Sequence, residues 1–135
     1  MKMALTKRML SVWVPMLAAA VMLCGCATIE ENTHAYLGSP IIAPTTPEHV
    51  QIYAAEPKVP KDMLGEVILS IDGNPPRQKI EEKLKKAGAK LGADGVFITS
   101  DRTHIYPVVY WDYYWGPTSS EGWHRTVVGV AFKNK

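Results

Sequence analysis

Cysteine is almost absent from this chain of 135 residues: it occurs twice, at Cys24 and Cys26, near the N-terminus. The rest of the chain can therefore form no disulfide. The sequence also contains no glycine-rich phosphate loop and no Gly-x-Ser-x-Gly nucleophile motif, so neither nucleotide binding nor α/β-hydrolase chemistry is indicated. At this length a single domain is expected. We predict a protein that is not an enzyme and binds no cofactor.

Residues 1–25 have the order of a secretory signal. Lys2, Lys7 and Arg8 precede the apolar run Met9–Leu23, and Leu23-Cys24-Gly25-Cys26 follows. The apolar run is shorter than the ~20 residues of a spanning helix, which argues against a retained membrane anchor. The ending Leu-x-Gly-Cys resembles the lipobox of bacterial lipoproteins.

That resemblance implies cleavage before Cys26 and attachment of lipid to this cysteine, so that 1–25 is a lipoprotein signal peptide. The residue after Cys26 is alanine and not aspartate. By the enteric sorting pattern this implies the outer membrane, with the protein lipid-anchored at its periplasmic face in the cell envelope.

Neither charge is in large excess. Removal of the three basic residues of the signal would leave 12 Lys and Arg against 13 Asp and Glu, a formal charge of −1. No basic surplus is then present to displace counterions from phosphates, so no nucleic-acid partner is expected.

Residues 26–49 are predicted to form a lipidated N-terminus and a proline-rich tether. Pro40, Pro44 and Pro47 recur between small and polar residues, a composition that favours extended chain. An alternative is that Ile41-Ile42 docks on the domain as an edge strand. The folded domain is then expected to span 50–135.

Within 50–135, the apolar periodicity predicts β-β-α-β-β: a small α+β fold with one helix across a largely antiparallel sheet. The helix is predicted over about 76–91, where Ile80, Leu84, Ala87 and Leu91 form one stripe, with Asn74 as its N-cap and Gly92 at its end. The lysines of this helix are interpreted as a solvated face, with an anionic lipid surface as the alternative. Strands are predicted near Val50 and over 64–72, 94–101 and 126–133, and 102–125 is an aromatic insertion between the last two.

The run Ala87-Gly-Ala-Lys-Leu-Gly-Ala-Asp-Gly-Val96 resembles the helix-to-strand junction of two groups of small bacterial domains. These are the YbjQ-type domains, often described as heavy-metal-binding, and the outer-membrane lipoprotein that senses envelope stress for the Rcs phosphorelay. Leu64-Gly65-Glu66-Val67 and Gly129-Val-Ala-Phe132 match further strands of that pattern. The resemblance implies the fold and an envelope location, and it transfers no catalytic residue. The Rcs sensor is rich in disulfides, which this domain cannot form.

The aromatic segment, Tyr106–Trp123, is the most unusual part of the sequence. It holds seven of the eleven aromatic residues that follow Cys26: Tyr106, Tyr110, Trp111, Tyr113, Tyr114, Trp115 and Trp123. Either these rings fold onto the sheet as a hairpin extension, or they form a surface for an envelope protein, a glycan or a second copy of the chain.

Two histidines, His104 and His124, flank this segment and would approach each other in a hairpin, with Asp101 and Asp112 as possible further ligands. We therefore expect a non-enzymatic binding, scaffolding or envelope-sensing lipoprotein that acts through an aromatic surface. A metal-binding or metal-sensing lipoprotein that uses His104 and His124 is the alternative. A hydrolase that uses Ser100, Ser119 or Ser120 with these histidines has no supporting motif.

Overall fold

The computed structural model describes residues 27–135, so the signal segment, the lipobox and Cys26 lie outside the described residues. The chain forms a small α+β domain in which one α-helix packs against a five-stranded mixed sheet. The predicted fold class is confirmed at this level. The elements are β1 (Thr28–Ala35), β2 (Gln51–Tyr53), β3 (Lys61–Asp72), α1 (Arg77–Lys90), β4 (Gly95–Asp112) and β5 (Gly116–Asn134), with a short 3₁₀ turn at Pro47–His49.

The strand order across the sheet is β1-β3-β5-β4-β2. All neighbours are antiparallel except β2 and β4, which are parallel. The observed order along the chain therefore differs in detail from the predicted β-β-α-β-β, because a further strand precedes it. No helix within residues 27–135 has the length and apolar character needed to cross a membrane.

The core lies between α1 and one face of the sheet. Val67, Leu69 and Ile71 of β3 are fully buried there, as their alternation predicts, against Leu84 and its neighbours on α1. Gly88 allows the helix backbone to approach the sheet: a Cβ at this position would lie 2.7 Å from a methyl group of Val96. Most of the buried hydrophobic residues belong to the two clusters at this face.

The two ends of α1 are formed differently. Pro76, and not Asn74, occupies the N-cap, and no side chain caps this end; the predicted cap is wrong because Pro75 and Pro76 keep the preceding residues extended. At the other end Gly92 adopts φ +76°, as predicted. The N–H groups of Gly92 and Ala93 donate to the carbonyls of Ala89 and Gly88, both at 3.0 Å, which is a Schellman termination.

The prediction of a free tether is wrong for residues 28–35, which form β1 and pair with β3 along their whole length. Ile29 packs against the core, and Glu31 forms an ion pair with Lys90 at 2.6 Å. The following segment crosses the C-terminal end of α1, where Thr45 donates to the Ala89 carbonyl at 2.9 Å. Ile42 does dock on the domain, in coil and not as a strand. Prolines 40, 44 and 47 all follow β1, so they do not prevent its pairing.

The predicted insertion 102–125 is not a separate element. Strands β4 and β5 run through it without a break, for 18 and 19 residues, and pair with each other up to a tight turn. Residues with high strand propensity continue from the predicted strands into this stretch. The sheet thus extends well beyond its helix-covered part.

Candidate functional site

The long hairpin leaves the sheet at a defined row of residues. The last pairing of β3 with β5 joins Asp72 to His124. Beyond this row β4 and β5 pair only with each other, from Ile105 opposite Trp123 to Asp112 opposite Gly116. We call residues 105–123 the aromatic arm. Because the arm has no third strand and no covering helix, both of its faces lie open.

All seven aromatic residues singled out in the sequence lie on the arm, and every one is exposed: Tyr106, Tyr110, Trp111, Tyr113, Tyr114, Trp115 and Trp123. Exposure is greatest at the tip, where Trp111 is 77% exposed and Tyr113, Tyr114 and Trp115 are 86–90% exposed. The segment is a hairpin, but its rings do not fold onto the sheet. A soluble domain seldom presents a cluster of this kind without a partner for it.

The turn at the tip is held by hydrogen bonds between the Asp112 side chain and backbone N–H groups. One carboxylate oxygen of Asp112 accepts the N–H groups of Tyr114 at 2.9 Å and Trp115 at 3.0 Å. Gly116 closes the turn with φ +75°, a conformation that favours glycine. Tyr113 and Tyr114 meet edge to face with ring centroids 5.3 Å apart. The side chains of residues 113–115 are therefore left free to contact something other than the domain itself.

The two flanking histidines do approach each other, as predicted, because His104 lies opposite His124 in the β4–β5 register. The predicted carboxylates do not join them: Asp101 pairs with Arg125, and Asp112 holds the turn. No group of three metal-binding side chains occurs within residues 27–135. The arrangement thus gives the metal-binding alternative no specific support.

A contact that the sequence did not indicate joins Ser70, His124 and Asp72. The Nδ1 of His124 lies 2.7 Å from an Asp72 carboxylate oxygen, and its Nε2 lies 3.4 Å from the Ser70 hydroxyl. His124 lies more than fifty residues from Ser70 and Asp72 in the chain, and only the strand register indicates their proximity. They lie on the open face of the sheet, with the Asp72 side chain 60% exposed, so no apolar enclosure excludes water from the group.

The predicted serines do not form a hydrolase site either. Ser119 and Ser120 lie on the arm, opposite Val109 and Val108. Ser120 is four residues from His124, about 13 Å along a strand. Ser100 is four residues from His104 and lies opposite Val128, so the strand register brings none of these serines to either histidine.

A groove of about 440 Å³ lies between α1 and β4, because β2 is too short to cover the edge of β4. Its apolar lining includes Ile80 and Leu84 of α1 and Ile98 of β4. The charged side chains at its rim are largely paired with each other, Arg77 with Glu81 and Arg125 with Asp101. Few unpaired charges are left to select a ligand, so the arm is the stronger candidate site.

The ion pair at the base of the arm makes stability sensitive to acid. Arg125 Nε donates to Asp101 at 2.8 Å, and this hydrogen bond holds the pKa of the Asp101 carboxyl below its ordinary range. A lowered folded-state pKa contributes stability above the ordinary aspartate value of about 4, and this contribution is lost as pH falls through the lowered pKa.

We therefore expect the free energy of unfolding to fall below about pH 4, and to fall less steeply in Asp101→Asn, which has no such carboxylate to protonate. Urea unfolding at a series of pH values measures both slopes. Equal slopes for Asp101→Asn and the unaltered protein would show that this pair makes no contribution.

Comparison with known proteins gives a structural similarity. No family model matches the chain, and no curated protein matches it. A solved structure, described as the Francisella virulence factor FvfA, superposes with a TM-score of 0.48 over 79% of this chain and 100% of that chain, at 14% identity.

Proposed function

We propose that this protein is a lipoprotein attached through Cys26 to the periplasmic face of the outer membrane, where it acts without catalysis by binding an envelope component through the aromatic arm. The observation that carries the proposal is the arm itself. Its aromatic side chains extend away from the helix-covered sheet and are exposed without exception. The Leu-x-Gly-Cys ending of the signal segment supports the lipid attachment.

The helix-covered sheet and the aromatic arm would then have different roles, stability and binding. The helix-covered sheet provides the stability, because its apolar face is buried against α1. The arm contributes two strands and a turn whose side chains have little contact with that core. Trp and Tyr provide large, rigid contact areas with a polar edge, which suits them to recognition surfaces.

Labelling with radioactive palmitate, followed by fractionation of the envelope, tests the attachment. We expect label on the unaltered protein in the outer-membrane fraction, and an unlabelled, unprocessed precursor for Cys26→Ser. Cys24→Ser is the matched control and should keep its label, because Cys24 would leave with the signal peptide. A processed, membrane-bound Cys26→Ser protein would contradict the lipid attachment.

Site-specific photo-crosslinking in intact cells tests the binding role of the arm. A photoreactive residue replacing Tyr114 should form adducts with an envelope component. The same residue replacing Leu37 is the control, because Leu37 is also highly exposed but follows β1 at the opposite end of the sheet from the arm. Equal adducts at the two positions, or none at Tyr114, would contradict a binding role for the arm.

A further inference from the structure

The N-terminal end of the described chain lies beside the base of the arm. Thr28 is opposite Asp72, Asp72 is opposite His124, and His124 is opposite His104, so these four residues form one row across the sheet. β1 runs in the same direction as β5, away from the arm. Ala27, the residue before Thr28, therefore lies on the side towards which the arm projects, beside Gly73.

The arm is longer than the spacer available to a lipid on Cys26. From His104 to the turn at Asp112 the arm rises by eight residues, about 26 Å. Cys26 precedes Thr28 by two residues, which span at most about 7 Å. The anchor is thus attached near the middle of an elongated body. The arm therefore cannot point straight away from the membrane without driving the charged sheet on the other side of the anchor into the lipid.

On the side of α1, the surface beside the start of β1 is basic. Lys79, Lys83 and Lys86 of α1 share a shallow depression with Ala27 and the start of β1, and Glu82 is the one acidic residue lining it. None of the three lysines has an ion-pair partner within residues 27–135. Ammonium groups placed beside an anchor attract anionic phospholipid headgroups, by about 1 kcal/mol each near a membrane surface.

The side chains of the arm suit the membrane interface. Between Ile105 and Trp123 the only acidic or basic residues are Asp112 and Glu121, and the Asp112 carboxylate is turned towards backbone N–H groups of the tip. Trp and Tyr are enriched at the level of lipid headgroups, where an apolar ring with a polar edge is favoured. The four most exposed rings lie together at the tip.

We propose that the partner of the aromatic arm is the lipid bilayer itself. The tip, Trp111 and residues 113–115, enters the headgroup region of the leaflet that holds the Cys26 lipid, and Lys79, Lys83 and Lys86 contact its anionic phospholipids. This inference rests on the proposed lipid attachment and names the ligand class of the proposed binding surface. The arm would fix the orientation of the domain on the membrane, which a lipid on a short spacer cannot do alone.

Tryptophan fluorescence of the purified, lipidated protein in vesicles tests the inference. After cleavage, Trp111, Trp115 and Trp123 are the only tryptophans, so the emission reports on the arm alone. The vesicles contain brominated phosphatidylcholine, which quenches inserted rings, with or without phosphatidylglycerol. Trp123→Phe leaves Trp111 and Trp115 as fluorescence reporters at the tip. The matched control, Trp111→Phe/Trp115→Phe, leaves Trp123 as the reporter at the base.

We expect a blue shift and a large loss of emission for the tip reporters, and a much smaller loss for Trp123. Phosphatidylglycerol should increase the loss at the tip, and Lys79→Gln/Lys83→Gln/Lys86→Gln should abolish that increase. No effect of phosphatidylglycerol on the unaltered protein would overturn the role given to the lysines.

Flotation of the vesicles and the mass of the protein distinguish failure of the bilayer inference from failure of the proposed lipid attachment. An acylated protein that floats with the vesicles but shows no quenching at the tip overturns the bilayer inference and leaves the lipid attachment intact. A protein without an acyl group overturns the attachment and the inference together. Tip reporters that are unquenched by lipid but become shielded as protein density rises would assign the arm to a second copy of the chain.

Discussion

Leu84→Ala is expected to lower the free energy of unfolding by about 2–5 kcal/mol. Leu84 is 1% exposed and packs from the middle of α1 onto Val67, Leu69 and Val127 in the centre of the sheet. Its truncation removes apolar contacts and leaves a cavity, because the strands on either side are held in register by their neighbours. Urea unfolding followed by far-ultraviolet circular dichroism measures the loss.

The matched controls are Trp111→Ala and Trp115→Ala. Each removes a larger side chain than Leu84, but from a position where it is largely exposed. We expect each to change the free energy of unfolding by no more than about 0.5 kcal/mol and to weaken binding by the arm. If both tryptophan variants lose as much stability as Leu84→Ala, the arm belongs to the core and the assignment of a separate binding element is wrong.

The central strand and the helix could be predicted because their patterns are local. In β3, Val67, Leu69 and Ile71 recur at every second position, and in α1 the apolar residues recur on one stripe, so each pattern indicates one buried face. The buried face of β5 near its C-terminal end could not be predicted from its pattern. Val127 and not Val128 faces α1, since Val128 is opposite Ile68 on the open side of the sheet. Apolar residues occur on both faces of that strand, so alternation alone does not fix its phase.

β1 could not be identified from its own residues. It is an edge strand of mixed polarity, and only Ile29 in it packs against the core. Its stability comes from pairing with β3, whose partner residues lie thirty or more positions further along the chain. An interaction of that range leaves no local signal. The prolines that follow made the whole stretch resemble a tether.

The sequence indicates that residues 105–123 form an aromatic hairpin, but it does not indicate whether the rings of this arm are exposed. Aromatic residues with high strand propensity are compatible with a hairpin that folds back onto the sheet and with one that projects from it. The difference lies in register. β3 ends at Asp72, and the next residue, Gly73, donates its N–H to the Trp123 carbonyl at 2.9 Å before the chain turns towards α1. With no third strand beyond that point, the arm has nothing to fold against.

Gly65→Val is expected to detach β1 from the sheet. A Cβ at this position would collide with the backbone carbonyl oxygen of His34 and lie 2.9 Å from Ala35 Cα. Backbone in a paired strand cannot give way as a flexible side chain can, so the clash is relieved by displacement of β1. We expect a loss of stability of about 1–3 kcal/mol and faster hydrogen exchange at the amides of residues 28–35, measured by mass spectrometry.

The same substitution tests why β1 matters for the arm. Once β1 is detached, its eight residues become spacer, and the domain can move about 26 Å further from a lipid on Cys26. Quenching of the tip tryptophans by brominated lipid should then decrease, although the lipid and the arm are both unchanged. Glu66→Ala, one residue further along β3 on the open face, is the control and should alter neither exchange nor quenching. Undiminished quenching in Gly65→Val, with β1 shown by exchange to be detached, would mean that the arm finds the membrane by its own affinity and does not depend on the short anchor.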